Sequence, residues 1–319
     1  MRTANFVLSL SFAAVLLGAS NLAAQERVWA NDQSIEQISE HVYRWGSDNQ
    51  FGVYVLTDEG IIVIDGHYCG SGTVSWLKDQ LTERYDVPVK YVILSHDHPD
   101  HVCGSEVFND TATTVSHRNL LPHILFEQRA SAIPEITFDD EMDLHLGGVH
   151  VRLLYFGPTH SDNLIQIHIP DDRVLVAIDS AKGRSLFPDF RDMEVNNQLE
   201  VMKILANLPD VDIVLPGHGP VVDQDAFMDH HRYLDALKMS VLQHMAAGRT
   251  LEEIKTLVAA SHMEAFGDYR GMAAFLVPNI VTMYDYLYRY REPNVSIKEY
   301  EAVLCIEDST QCRTSVLDL

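Results

Sequence analysis

The chain has 319 residues, 46% of them hydrophobic, which supplies a large core and excludes an intrinsically disordered protein. Its formal net charge is −23, so its surface repels phosphate backbones and anionic lipid. Neither nucleic acid nor stable membrane insertion is therefore expected, and the partner looked for is a small molecule.

In chain order, residues 1–24 read as a secretory signal. Arg2 gives a thin positive start, and the apolar run from Phe6 to Leu17 is too short to cross a bilayer. Cleavage is expected after Ala24, although Leu22 makes the Ala-x-Ala pattern imperfect. The implied location is periplasmic or extracellular. Residues 25–37 are polar and read as a flexible lead-in. Val42 to Trp45, Phe51 to Thr57 and Ile61 to Asp65 read as strands of a meander, with a tight turn at Asp58-Glu59-Gly60. Val74, Leu77, Leu81 and Tyr85 recur at helical spacing, predicting a helix from Thr73 to Tyr85. Val89 to Leu94 is a buried strand, Thr113 to Ser116 a short one, and His117 to Ala130 a helix expected to overhang the loop between them. Ile136 to Phe138, Val149 to Tyr155, Leu164 to Ile169 and Val174 to Ile178 are expected to build a second sheet, with a hairpin turn at Gly147-Gly148. A helix from Asn196 to Asn207 and a strand from Ile213 to Leu215 follow. Two runs of strands flanked by helices fit an α/β architecture with two sheets covered on both sides.

From Asp223 the pattern changes. Ala226, His230, Tyr233, Leu237, Val241 and His244 recur every three or four residues, predicting a long amphipathic helix that ends near Gly248. Thr250-Leu251-Glu252-Glu253 is a capping box opening another, and Val281 to Tyr290 reads as a third. The expected organisation is a catalytic core at 25–222 and a helical extension at 223–319 packed on it.

The chemistry concentrates in His96-Asp97-His98-Pro99-Asp100-His101, directly after the Val89 to Leu94 strand. In an extended backbone His96 and His98 point the same way, and Pro99 then forces a turn. Asp100 and His101 are thereby directed at a second point close to the first. Imidazoles and carboxylates at this spacing are metal ligands suited to zinc, iron or manganese.

That string resembles the signature of the metallo-β-lactamase superfamily. Four further stretches resemble its other motifs: Ile61 to Gly66, Gly157-Pro158-Thr159-His160-Ser161, Val174 to Asp179, and Val214 to Gly219. The resemblance implies a four-layer αββα sandwich with a metal site on its edge. It assigns His96, His98 and His160 to a first metal, and Asp100, His101 and His218 to a second, with Asp179 bridging. Two zinc ions per chain would then share a hydroxide as nucleophile, with iron or manganese as alternatives. Asp65 would orient a ligand histidine through its free N–H. Asp100 and His218 are expected to be essential to turnover.

The departures from the family pattern bear on substrate. Well-known zinc β-lactamases carry Cys or Ser where this chain has Asp179, and an Asp there resembles thioester, lactone and phosphodiester hydrolases of the glyoxalase II-like kind. Exported members found near quinoprotein dehydrogenases share it. Lys182 stands three residues after Asp179, the spacing at which some zinc β-lactamases place the lysine that grips the substrate carboxylate. Lys182 or Arg184 is thus either an anchor for an anionic substrate or a solvated loop charge. The readings carried forward are an exported dinuclear metallohydrolase, a β-lactamase in the narrow sense, and a mononuclear iron oxidoreductase like the sulfur dioxygenases. Four cysteines suit an oxidising compartment: Cys305 and Cys312 could clip the C-terminal tail, and the resemblance brings Cys69 and Cys103 onto neighbouring loops.

Overall fold

A computed structural model describes Trp29, residues 32–180 and residues 182–289. The expected signal at residues 1–24, Tyr290, Cys305 and Cys312 lie outside the described residues. The first half of the chain builds β1 (Ser34–Gln37), β2 (Val42–Ser47), β3 (Gln50–Thr57), β4 (Gly60–Ile64), α1 (Thr73–Arg84), β5 (Val89–Leu94), α2 (Pro99–Val102), β6 (Thr113–His117), α3 (Leu120–Glu127) and β7 (Ile136–Phe138). Next come β8 (Glu141–Leu146), β9 (Val149–Tyr155), β10 (Ile165–Ile169), β11 (Val174–Val176), α4 (Val195–Leu205) and β12 (Ile213–Leu215). Three long helices close the described chain: α5 (Asp225–Ala246), α6 (Leu251–Phe266) and α7 (Met272–Arg289).

Strands β1 to β7 form one sheet in sequence order, and β12-β11-β10-β9-β8 form the other. The uninterrupted apolar run of β4 follows from its place between two layers. Ile62 and Ile64 face the second sheet, while Ile61 and Val63 face α1. A strand covered on both faces has no polar side to show. Ile93, Val115, Leu153, Ile165, Ile167 and Val176 complete the seam between the sheets. Leu77 and Leu81 of α1 cover the outer face of the first sheet, and α4 to α7 cover the outer face of the second. The fold is thus the αββα sandwich that the sequence implies.

Three differences from the sequence reading have physical causes. β7 pairs in parallel with β6, so it belongs to the first sheet, and the chain crosses to the second only after Phe138. β1 is a polar edge strand, paired with β2 and carrying no hydrophobic alternation to announce it. α7 begins at Met272, well before Val281, and runs through Pro278, whose missing N–H weakens the helical signal. In addition, α3 is shorter than expected, and its residues do not line the metal-site cavity described below.

Helices α5 to α7 share one apolar cluster with α4 and the outer face of the second sheet, through Tyr233, Leu237, Val241, Ile254, Val258, Leu276 and Ile280. The Thr250 capping box is formed, its hydroxyl accepting from the Glu253 amide. No helix among the described residues is long and apolar enough to cross a membrane. Within this cluster His230 is fully buried and donates Nδ1–H to the Ser185 carbonyl, 3.2 Å away. Burial first, then the nearby Lys182 ammonium, pushes its pKa down to about 3, against a backbone bond to Ser185 that raises it. In the unfolded chain a histidine titrates near 6.5. Between about 6.5 and about 3 the unfolded state takes up a proton that folded His230 refuses, so stability falls as the pH falls through that window. Replacing His230 with Gln should therefore make the denaturant midpoint depend less steeply on pH between 7 and 5. An unchanged slope in matched titrations would contradict this account.

Candidate metal centre

The site forms where strand ends meet at one edge of the sandwich. Asp65 follows β4, the His96 to His101 segment follows β5, Asp179 follows β11 and His218 follows β12. His160 comes from the connection between β9 and β10. The edge is stitched by backbone bonds between the sheets: Ile165 N–H donates to Ser95 O at 2.9 Å, and Phe51 N–H to Gly217 O at 2.8 Å. Both acidic hinges, Asp65 at φ 64° and Asp179 at φ 48°, sit in the left-handed region, which Asp tolerates better than most side chains. Gly66 has no side chain for a packing reason, because a Cβ there would collide with the Cys103 carbonyl.

Two clusters of donors result. His96, His98, His160 and Asp179 form one, and Asp100, His101 and His218 form the other. In the first, His98 Nδ1 and His160 Nε2 face each other at 3.1 Å. Fully buried His96 presents an Nε2 with no hydrogen-bond partner. In the second, His218 Nε2 is 3.1 Å from Asp100 Oδ2, and His101 Nε2 is 3.6 Å from the same oxygen. Asp179 stands between them. Its Oδ2 is 3.3 Å from His160 Nε2, 3.5 Å from His101 Nε2 and 4.0 Å from His96 Nε2, and its Oδ1 is 3.8 Å from His218 Nε2.

The outward nitrogens of His96, His98 and His101 are held, whereas the buried Nδ1 of His160 has no hydrogen-bond partner. His101 Nδ1 lies 3.2 Å from Asp65 Oδ2. Ser95 Oγ donates to Asp65 Oδ2 at 2.7 Å and lies 3.0 Å from His96 Nδ1, while Ser95 N–H donates to Asp65 Oδ1 at 2.7 Å. These contacts put Nδ1–H on both rings and leave each Nε2 lone pair aimed inward. His98 Nε2 faces Asp192 Oδ2 at 3.5 Å, so the opposite nitrogen of that ring, Nδ1, is the inward one. Asp192 sits in a loop with no motif, and nothing in the sequence singles it out.

The electrostatics describe a site built for positive charge. Burial lowers the pKa of His96 well below its ordinary value, and neighbouring His98, His101 and His160 add to this. For His101 burial also opposes charge, but Asp100 and Asp179 outweigh it and raise its pKa well above the ordinary value. Burial would raise the Asp179 carboxyl, yet Lys182, His218 and His101 hold it well below the usual range. A buried carboxylate held ionised amid inward-facing ring nitrogens fits a divalent cation, and the orphaned Nε2 of His96 marks where one would bind. Lys182 reaches the same space, its Nζ 3.4 Å from Asp179 Oδ1 and 4.7 Å above the Phe187 ring, with only 9% of its side chain exposed. It is therefore no solvated loop charge.

Other polar residues near the site are engaged elsewhere. Asp97 is paired with Arg129 Nη1 at 3.1 Å and accepts from Asn163 Nδ2 at 2.7 Å. His67 is buried beside the carbonyls of Ser47 and Gln50, both at 3.2 Å, and burial lowers its pKa to about 4. Arg184 pairs with Asp268. A cavity of about 640 Å³ opens over the donors, with His98, Asp100, Asp179, Lys182 and His218 in its floor and Phe187, Phe190 and Phe275 in its wall.

Cys69 and Cys103 form a disulfide that ties the segment after β4 to the end of α2. It closes a loop spanning 34 positions, which corresponds to about 3–4 kcal/mol of stabilisation on chain-entropy grounds. A Cys69→Ser, Cys103→Ser double variant should lose about that much in denaturant unfolding; a loss under about 1 kcal/mol would show that the disulfide does not brace the folded site.

Comparison with known proteins agrees with this geometry. Residues 48–218 match the model of the metallo-beta-lactamase superfamily. The chain is 26% identical over 204 residues to metallo-beta-lactamase type 2 of Elizabethkingia meningoseptica, covering 60% of this chain and 81% of that protein. It is 22% identical over 282 residues to the 2,4-dinitroanisole O-demethylase subunit alpha of a Nocardioides strain, covering 86% of this chain and 84% of that one. The fold resembles the solved metallo-beta-lactamase from Pontibacter korlensis, with a TM-score of 0.57 at 20% identity over 64% of this chain and 99% of the other. With its donors gathered at the sandwich edge and the family match spanning that edge, the chain belongs to the metallo-beta-lactamase superfamily and is a metal-dependent hydrolase.

Proposed function

We propose that the chain is an exported hydrolase holding two divalent ions and acting on a small ester, thioester, lactone or amide. The observation that carries this reading is Asp179, one buried carboxylate facing both donor clusters at 3.3 to 4.0 Å. In this reading His96, His98 and His160 hold one ion, Asp100, His101 and His218 hold the other, and Asp179 is shared. Zinc, iron and manganese all accept such ligands; zinc is favoured because hydrolysis asks for a Lewis acid that does not change oxidation state. Ions bound here supply Lewis acidity and bring the pKa of a coordinated water towards 7.

The chain's own residues do the rest. Asp65 takes the Nδ1–H of His101 and, through Ser95, that of His96, which fixes both rings with the ligating nitrogen inward. Asp192 does the same for His98 from the opposite side. Lys182 offers a buried ammonium to an anionic group or a developing oxyanion. Export is supported by the N-terminal leader and by the Cys69–Cys103 disulfide, which suits an oxidising compartment.

A narrower reading, β-lactam hydrolysis, is favoured by Lys182 in the cavity and by relatives named metallo-beta-lactamase type 2. Asp179, in place of Cys or Ser, favours the ester-type substrates. A mononuclear iron oxidoreductase would leave Asp100, His101 and His218 without a metal, against their clustering.

Turnover of a panel of lactam, thioester, lactone and phosphodiester compounds tests the reading. Asp100→Ala and His218→Ala should each lower kcat by more than the roughly 10–100-fold that an outer partner is worth, with the circular dichroism of the folded chain retained. Undiminished turnover in either variant would remove the two-ion mechanism. Asp65→Asn keeps every ligand and should weaken metal affinity about 10–100-fold in chelator competition. Equal affinity would contradict the orienting role of Asp65.

A further inference from the structure

The cavity over the donors is lined by three cations, Lys182, Arg191 and Arg270. Lys182 is paired with Asp179, and Arg191 with Asp189. Arg270 alone of the three has no carboxylate partner among the described residues. That is notable in a chain whose formal charge is −23, where acidic groups are abundant.

Arg270 is held in place by its backbone. Its N–H donates to Arg184 O at 2.9 Å, and its carbonyl accepts from Leu186 N–H at 3.0 Å. A parallel bridge to Ser185 fixes the register, and Arg270 Nε donates to Ser185 Oγ at 3.4 Å. The connection between α6 and α7 is thereby sewn to the segment that follows Asp179 and carries Lys182. The guanidinium then lies over the His218 loop. Gly219 has φ 88°, and a Cβ there would fall 2.5 Å from Arg270 Nη2, so a side chain at position 219 would displace the guanidinium. Leu186, Phe187, Pro188, Phe190 and Phe275 give the wall its apolar surface, and the two carboxylates among them are engaged, Asp189 with Arg191 and Asp192 with His98.

We propose that Arg270 is a specificity-determining residue that receives an anionic group of the substrate at the cavity mouth. The ligand class is an amphipathic anion with an apolar, ring-sized body against Phe187 and Phe275 and a carboxylate-like group remote from the reacting bond. A planar guanidinium suits such a group because it offers two parallel N–H donors. Lys182, nearly buried beside Asp179, serves the reacting end, and Arg270, on the exposed rim, serves the distal end. The assignment deepens the hydrolase reading and rests on it for calling the bound molecule a substrate.

The test is calorimetric binding of two probes to the metal-loaded protein: benzenesulfonate and its neutral isostere methyl phenyl sulfone. The wild-type chain should prefer the sulfonate about tenfold, the value of one charge-assisted contact. In Arg270→Gln that preference should collapse to about onefold, with sulfone binding and metal content unchanged. Arg270→Lys, which keeps the charge and loses the fork, should retain part of it. An unchanged preference in Arg270→Gln, or no preference in the wild-type chain, would overturn the assignment. The binding readout does not depend on turnover, so a chain that hydrolyses nothing in the substrate panel can still pass this test, and one that hydrolyses well can fail it.

Discussion

Asp65 is a buried carboxylate at the end of a central strand, with no exposure to solvent. An ion in such a place is tolerated only when its oxygens are filled, because removing a charge from water costs several kcal/mol. Ser95 supplies its amide and its hydroxyl, and His101 its Nδ1–H. These bonds bind β4 to the end of β5, and they also decide which nitrogen of His96 and His101 faces inward. The same contacts that satisfy a buried charge thus set the tautomers of a metal site. Gly66 and the Cys69–Cys103 disulfide continue the arrangement on the same loop, where the chain passes too close to the Cys103 carbonyl for any side chain.

Much of this was legible in the sequence because it follows from local rules. The β4 and β5 runs are apolar throughout because helices cover one face and the second sheet the other. The six-residue histidine string has its spacing because an extended backbone followed by proline separates two pairs of ligands. What the sequence hid depends on distant partners. β1 is polar and exists through its pairing with β2. Ile136 to Phe138 carries no sign of which sheet it joins, and only its ladder with β6 decides. Asp192 and Arg270 are ordinary charged loop residues until the fold sets them against His98 and Gly219.

The helices from Asp225 onward are more than a cover for the second sheet. They bury Leu237, Val241 and Ile280 against it, and the turn between α6 and α7 reaches back to the loop after Asp179. That contact makes the helical region part of the cavity wall, through Arg270, Gly271 and Phe275. The family match ends at residue 218, so it informs the metal end of the site more than its mouth. The donors and this part of the cavity wall are thus supplied by different parts of the sequence.

The measurement that bears most directly on the central claim is elemental analysis of the purified chain, prepared with neither added metal nor chelator. The account predicts close to two equivalents of a divalent metal per chain, zinc foremost, with both equivalents displaced together with activity on dialysis against a chelator. One equivalent of iron, with Asp100, His101 and His218 left without an ion, would contradict it.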